Sequence, residues 1–80
     1  MTCRDEILNC VQSIIHQKGI DEFTILEVIN RLNEQGTIYE VSTIRTHIVS
    51  RMCKDAPPHH QVRYDDFERV GRGIYKLIVL

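Results

Sequence analysis

Eighty residues make one domain, residues 1–80, with room for a single small core, because folding at this length buries only roughly 60–65% of the unfolded surface. An apolar fraction of 42% and a charged fraction of 26% are ordinary for a soluble globular chain, and no apolar run is long enough to span a bilayer. The net charge of −1 argues weakly against a polyanion partner, but the charge is unevenly spread: residues 1–40 carry three basic against seven acidic side chains (−4), residues 41–80 seven against four (+3).

The opening MTCRDEILNC is acidic and lacks the apolar core of an export signal. It leads into a first helix over Arg4–Lys18, with Ile7, Leu8, Val11, Ile14 and Ile15 on one face. Thr2 suits the N-cap, Asp5 and Glu6 suit the positive end of the helix dipole, and Gly19 suits the left-handed stop. His16 reads as a surface residue near the helix end. The three cysteines, Cys3, Cys10 and Cys53, are odd in number and unpatterned in spacing. That combination points to reduced thiols and a cytoplasmic setting rather than a disulfide scaffold.

Ile20–Phe23 read as a short link. Thr24-Ile-Leu-Glu27 is a capping box, with Phe23 and Val28 as its hydrophobic staple, so a second helix starts at Ile25. Ile25, Val28, Ile29 and Leu32 form its core stripe. Glu27, Asn30, Arg31 and Glu34 form a solvated face, and Gly36 ends the helix.

Only Thr37, Ile38 and Tyr39 separate Gly36 from the third helix, so the two helices are joined by a tight turn. Ile38 is expected to plug the space between them, with Tyr39 packing beside it. The third helix lies in Tyr39–Cys53, YEVSTIRTHIVSRMC. Val41, Ile44, Ile48 and Met52 recur at helical spacing as its apolar stripe. Ser42, Thr43, Thr46 and Ser50 lie opposite, and Arg45, His47 and Arg51 sit on the flanks. An outer face of short hydrogen-bonding side chains edged with cations suits close approach to a surface rich in acceptors, such as a DNA groove and its phosphates. The alternative is a solvated face that happens to carry serine and threonine.

Ala56-Pro57-Pro58 stops the helix, and Lys54–Arg63 read as a loop and the most mobile stretch. His59-His60 with Cys53 or His47 lacks the paired spacing of a metal site, so no metal is expected. Phe67–Val70 and Ile74–Val79 alternate around Gly71-Arg72-Gly73 as a β-hairpin with an arginine at its tip. The glycines permit the positive φ of a tight turn. Arg72 there is placed to reach a phosphate or the minor groove, or is simply a soluble tip residue. Asp65, Asp66 and Glu68 read as surface charges that partly balance Arg63 and Arg69.

The order of elements, three helices and then a two-stranded hairpin, is that of an α+β winged helix-turn-helix domain with a C-terminal β-hairpin wing. Phe67-Glu-Arg-Val-Gly-Arg-Gly-Ile-Tyr-Lys-Leu77 resembles the wing of HARE-type winged helix-turn-helix modules, where an F-x-R-V-G-R-G-x-[FY]-x-L pattern recurs. Val41-Ser-Thr-Ile-Arg45 is similar to the start of recognition helices in many prokaryotic winged-helix domains. The chain also resembles small winged-helix domains attached to prokaryotic restriction and other DNA-modifying enzymes.

The resemblance implies a double-stranded DNA-binding module, a transcriptional regulator or the targeting domain of a restriction-modification system. Helix 3 would enter the major groove and the wing would lie on the backbone. The DNA-facing residues expected are Ser42, Thr43, Arg45, Thr46, His47, Ser50, Arg69 and Arg72. The alternative from the residues is a protein-interaction or dimerisation module of the same fold, with a second copy or a larger enzyme as partner. No catalytic set, small-molecule cofactor or membrane partner is expected, and any catalysis would belong to a partner or a longer parent chain.

Overall fold

A computed structural model describes residues 2–55 and 64–78. Helix α1 (Cys3–Lys18) begins where Thr2 accepts from the Asp5 N–H and Asp5 accepts from the Thr2 N–H. These reciprocal bonds satisfy two donors that a helix start otherwise leaves open. Gly19, at φ 72°, ends the helix in the left-handed conformation.

Strand β1 (Glu22–Thr24) follows and gives way at once to α2 (Ile25–Glu34). The expected capping box is present: Thr24 Oγ1 accepts from the Glu27 N–H at 3.1 Å, and the Glu27 carboxylate accepts from the Thr24 N–H at 2.8 Å. Helix α3 (Val41–Thr46) runs on into a π-helical turn, His47–Arg51. Strands β2 (Phe67–Gly71) and β3 (Ile74–Leu77) close the described chain.

The fold is therefore α+β, three helices with a three-stranded antiparallel sheet in the order β1-β3-β2. This corrects the expectation of a two-stranded sheet. The stretch read as a link supplies the third strand, with Phe23 opposite Tyr75 and Thr24 opposite Ile74. Three residues are too few for alternation to show, and what makes them a strand is a partner about fifty positions downstream.

Phe23 is fully buried, meets Phe67 edge-to-face at 4.8 Å between ring centres, and stacks on Tyr75 at 6.2 Å. Edge-to-face pairs favour the attraction of a ring's positive edge to its neighbour's negative face. This aromatic trio joins the sheet to the helical core of Ile7, Val11, Val28, Leu32, Ile44 and Ile48.

The hairpin between β2 and β3 turns through Arg72 and Gly73, and its register shifts between Arg69 and Gly71. Only Gly73 in this turn uses positive φ, at 71°. The expectation that both glycines serve this purpose is corrected, because the bulge absorbs Val70 without it. The Ile25 N–H donates to the Gly73 carbonyl at 3.3 Å, tying the hairpin tip to the start of α2.

Three other expectations change. Ile38 does not plug the space between helices; it is 86% exposed, while Tyr39 packs against the core. Val41 leaves the apolar stripe at 43% exposure, because it opens the helix before the chain reaches the core, and Ile44, Ile48 and Met52 carry the packing. Asp66 is not paired with Arg69, and Arg63 lies outside the described residues. Asp66 binds the Arg4 guanidinium through both carboxylate oxygens. Residues 56–63, within the stretch read as a loop, and the His59-His60 pair lie outside the described residues.

Candidate functional site

Helix α3 separates two open grooves, and the residues expected to face DNA divide between them. The first, about 460 Å³, lies between the helix and the hairpin. Its cations are Arg45 from the helix and Arg69 and Arg72 from the hairpin. Arg45 is on this side because it lies one position beyond buried Ile44 on the helical wheel, turned toward the sheet. Arg69 and Arg72 are here because β2 packs beside the end of α3: the Phe67 N–H donates to the Met52 carbonyl at 2.8 Å, and the Lys54 N–H to the Phe67 carbonyl at 2.9 Å.

The three guanidiniums differ in freedom. Arg69 Nε donates to the Gly71 carbonyl at 3.2 Å, which lays its side chain along the hairpin. The Arg45 and Arg72 guanidiniums are exposed and make no hydrogen bond or ion pair with another described residue. Their donors are therefore open to a ligand. Asp55 shares the groove and uses one oxygen to accept from the Arg69 N–H at 3.1 Å. Tyr75 lines the floor, and burial pushes its phenol above the ordinary value, so it stays neutral through the physiological range.

The second groove, about 230 Å³, runs along the other flank of the helix. Ser42, Thr43, Thr46, His47 and Arg51 line it. His47 Nδ1 lies 2.9 Å from the Thr43 carbonyl, one turn back. Ser50 is half-buried and lines neither groove.

Of the lining residues that were not among those expected to face DNA, Val49, Arg51 and Asp55 bear most on the grooves. Val49, 38% exposed, sits one turn after Arg45 and presents apolar surface between the helix and the hairpin. Its i+4 spacing from Arg45 was the available signal. Arg51 belongs to the His47 groove, where the same spacing from His47 places it. Asp55 had no signal, since its position follows from the chain path after the helix rather than from any local pattern.

A third groove, about 320 Å³, lies between α1 and α2, and both of its cations are engaged within it. Lys18 pairs with Glu27 at 3.0 Å, and Arg31 bonds Ser13 and Gln17. The α2 face read as solvated is therefore partly engaged with α1. Among the described residues no group of three or more His, Cys, Asp or Glu side chains could hold a metal ion. No described helix is long and apolar enough to cross a membrane.

No curated protein and no solved structure matches the chain. Residues 2–77 match the family model described as a domain of unknown function, DUF7669. Since that match takes in nearly all of the helices and sheet described above, the chain belongs to the DUF7669 family.

Proposed function

We propose that this chain is a double-stranded DNA-binding module of winged helix-turn-helix type, with α3 in the major groove and the β2–β3 hairpin as a wing on the backbone. The observation that carries the reading is the convergence of Arg45, Arg69 and Arg72, from two elements far apart in sequence, on one open groove. A guanidinium presents donors in a planar fork that matches phosphate oxygens. Phosphate neutralisation supplies the sequence-independent part of duplex affinity. The short side chains of Ser42 and Thr46 let the helix backbone come close to base edges. The module has no chemistry of its own on this reading. It works in the cytoplasm as a transcriptional regulator or as the targeting part of a DNA-modifying system.

An NMR titration with a mixed-sequence duplex at two salt concentrations tests this. Amides of α3 and of residues 69–73 are expected to shift at low salt, with weaker binding at high salt. Shifts confined to α1 and α2, or none, would overturn the reading.

A protein-interaction module is the second reading, with another copy of the chain or a larger enzyme as partner. Ile38 at 86% exposure beside Val41 at 43% favours it, since two aliphatic side chains stand in solvent at one helix start. Gel filtration separates the two: a dimer that dissociates on Ile38→Ser supports the second, and a monomer that shifts duplex DNA supports the first.

A further inference from the structure

The two grooves flanking α3 differ in chemistry. The arginine groove offers donors from three guanidiniums beside the Asp55 carboxylate, and such forks suit a phosphate or the O6 and N7 of guanine. The other groove, lined by Ser42, Thr43, Thr46, His47 and Arg51, can offer both donors and acceptors.

His47 decides what that groove can accept. The Thr43 carbonyl 2.9 Å from Nδ1 can only accept, so Nδ1 carries the hydrogen. The neutral ring then has its lone pair on Nε2, and Nε2 is an acceptor. An acceptor gains nothing from a phosphate oxygen, which has no hydrogen to give. It does gain from the exocyclic amine that cytosine presents as N4 and adenine as N6 in the major groove. Arg51 lies one turn on, and the π-helical turn that begins at His47 keeps both side chains on the same groove. With the ring neutral, the pair offers an acceptor next to a strong donor, a pattern that base edges can match and a phosphate cannot.

We infer that His47 is a base-reading residue. Its Nε2 accepts from the amine of a cytosine or adenine, while Arg51 donates to a neighbouring acceptor on the base edges. This rests on the proposed duplex reading and deepens it, because it names the side chain that selects an amine-bearing base.

Selection from a randomised duplex pool, followed by titration of the winner and its single-base variants, tests the inference. The wild-type chain is expected to prefer an amine-bearing base at one position by about fivefold, the value of one hydrogen bond. His47→Leu should lose that preference. His47→Gln, whose amide oxygen can accept, should keep part of it. The ¹⁵N shift of His47 Nε2 in the wild-type chain gives a readout that does not depend on a variant folding. It should move with the selected duplex and stay put with an unselected one. Duplex binding with a flat base profile, or an unchanged preference in a folded His47→Leu chain, would overturn this inference and leave the duplex reading standing. Failure to bind any duplex would sink both.

Discussion

Arg4, in the first turn of α1, grips Asp66 through two parallel bonds, Nε to Oδ2 and Nη2 to Oδ1, both 2.9 Å, across 62 positions of chain. The same guanidinium lies 3.9 Å over the Tyr64 ring. The bond to Asp66 raises the Arg4 pKa above its ordinary value. A bidentate pair stacked on an aromatic ring holds its geometry better than a surface ion pair. Arg4 thereby fixes the segment leading into β2 against the N-terminal helix.

Arg4→Ala is expected to cost about 1 kcal/mol, since the pair is only part-buried and partly screened by water. For a domain of this length that lowers Tm by about 4–8 °C. A melt by circular dichroism measures it, and Asp66→Asn should give a smaller drop. Equal melting of Arg4→Ala and wild type would show that the pair does not form in solution.

The capping carboxylates make stability depend on acid. Burial opposes the charge on Glu27, but hydrogen bonds from the Thr24 N–H and from Lys18 outweigh it and hold its carboxyl below the usual range. Asp5 is held low by its bonds with Thr2. A carboxyl depressed in the folded state binds its proton more readily when unfolded, so it adds stability above the ordinary carboxylate range. That stability drains away as pH falls through about 4 and toward the folded value. Chemical denaturation at pH 7 and pH 3 should therefore differ more for the wild type than for Glu27→Gln. Thr24→Ala should cost about 1 kcal/mol at pH 7 by removing the reciprocal cap.

The arginine groove predicts a salt signature. Replacing Arg45 and Arg72 with alanine should weaken duplex binding at low salt. The slope of log K against log salt should fall by about 1 for each phosphate that is no longer neutralised. Fluorescence anisotropy across 50–200 mM salt reads it. Asp55→Asn should raise affinity, because it removes the one carboxylate that lines that groove among the described residues. A slope unchanged in the double variant would count against phosphate binding there.

All three cysteines are buried free thiols, at 6%, 2% and 2% exposure for Cys3, Cys10 and Cys53. Burial pushes the Cys10 thiol up to about 11 and also raises Cys3. Little thiolate exists at either near neutral pH, and Cys53 is shielded by its burial. Reaction with a thiol reagent at pH 8 should be slow in the native chain and fast for all three in denaturant. Rapid labelling of one thiol under native conditions would mean that its element opens locally.

The helices were legible from sequence because their signals are local. Thr24 and Glu27 are three positions apart, and Gly19 follows its helix directly, so short-range spacing was enough to locate the caps. The tip of the hairpin was legible for the same reason. β1 was not, because Glu22-Phe-Thr24 become a strand only when β3 arrives beside them. Ile38 was misread because hydrophobicity alone does not say which way a turn faces.

The candidate site divides in the same way. Sequence by itself supplied the side chains proposed to meet a polyanion: the cations and hydroxyls of residues 42–51 and the arginine between two glycines. Tertiary structure alone decided that Arg45 shares a groove with Arg69 and Arg72, and that His47 and Arg51 face the other flank. Helical periodicity sets angles around one axis. The direction of that axis relative to the hairpin comes from burying Ile44, Ile48 and Met52 in one core with Phe67 and Tyr75, and from the bonds of Phe67 with Met52 and Lys54. Those packings close over long stretches of chain and leave no repeat for the sequence to display.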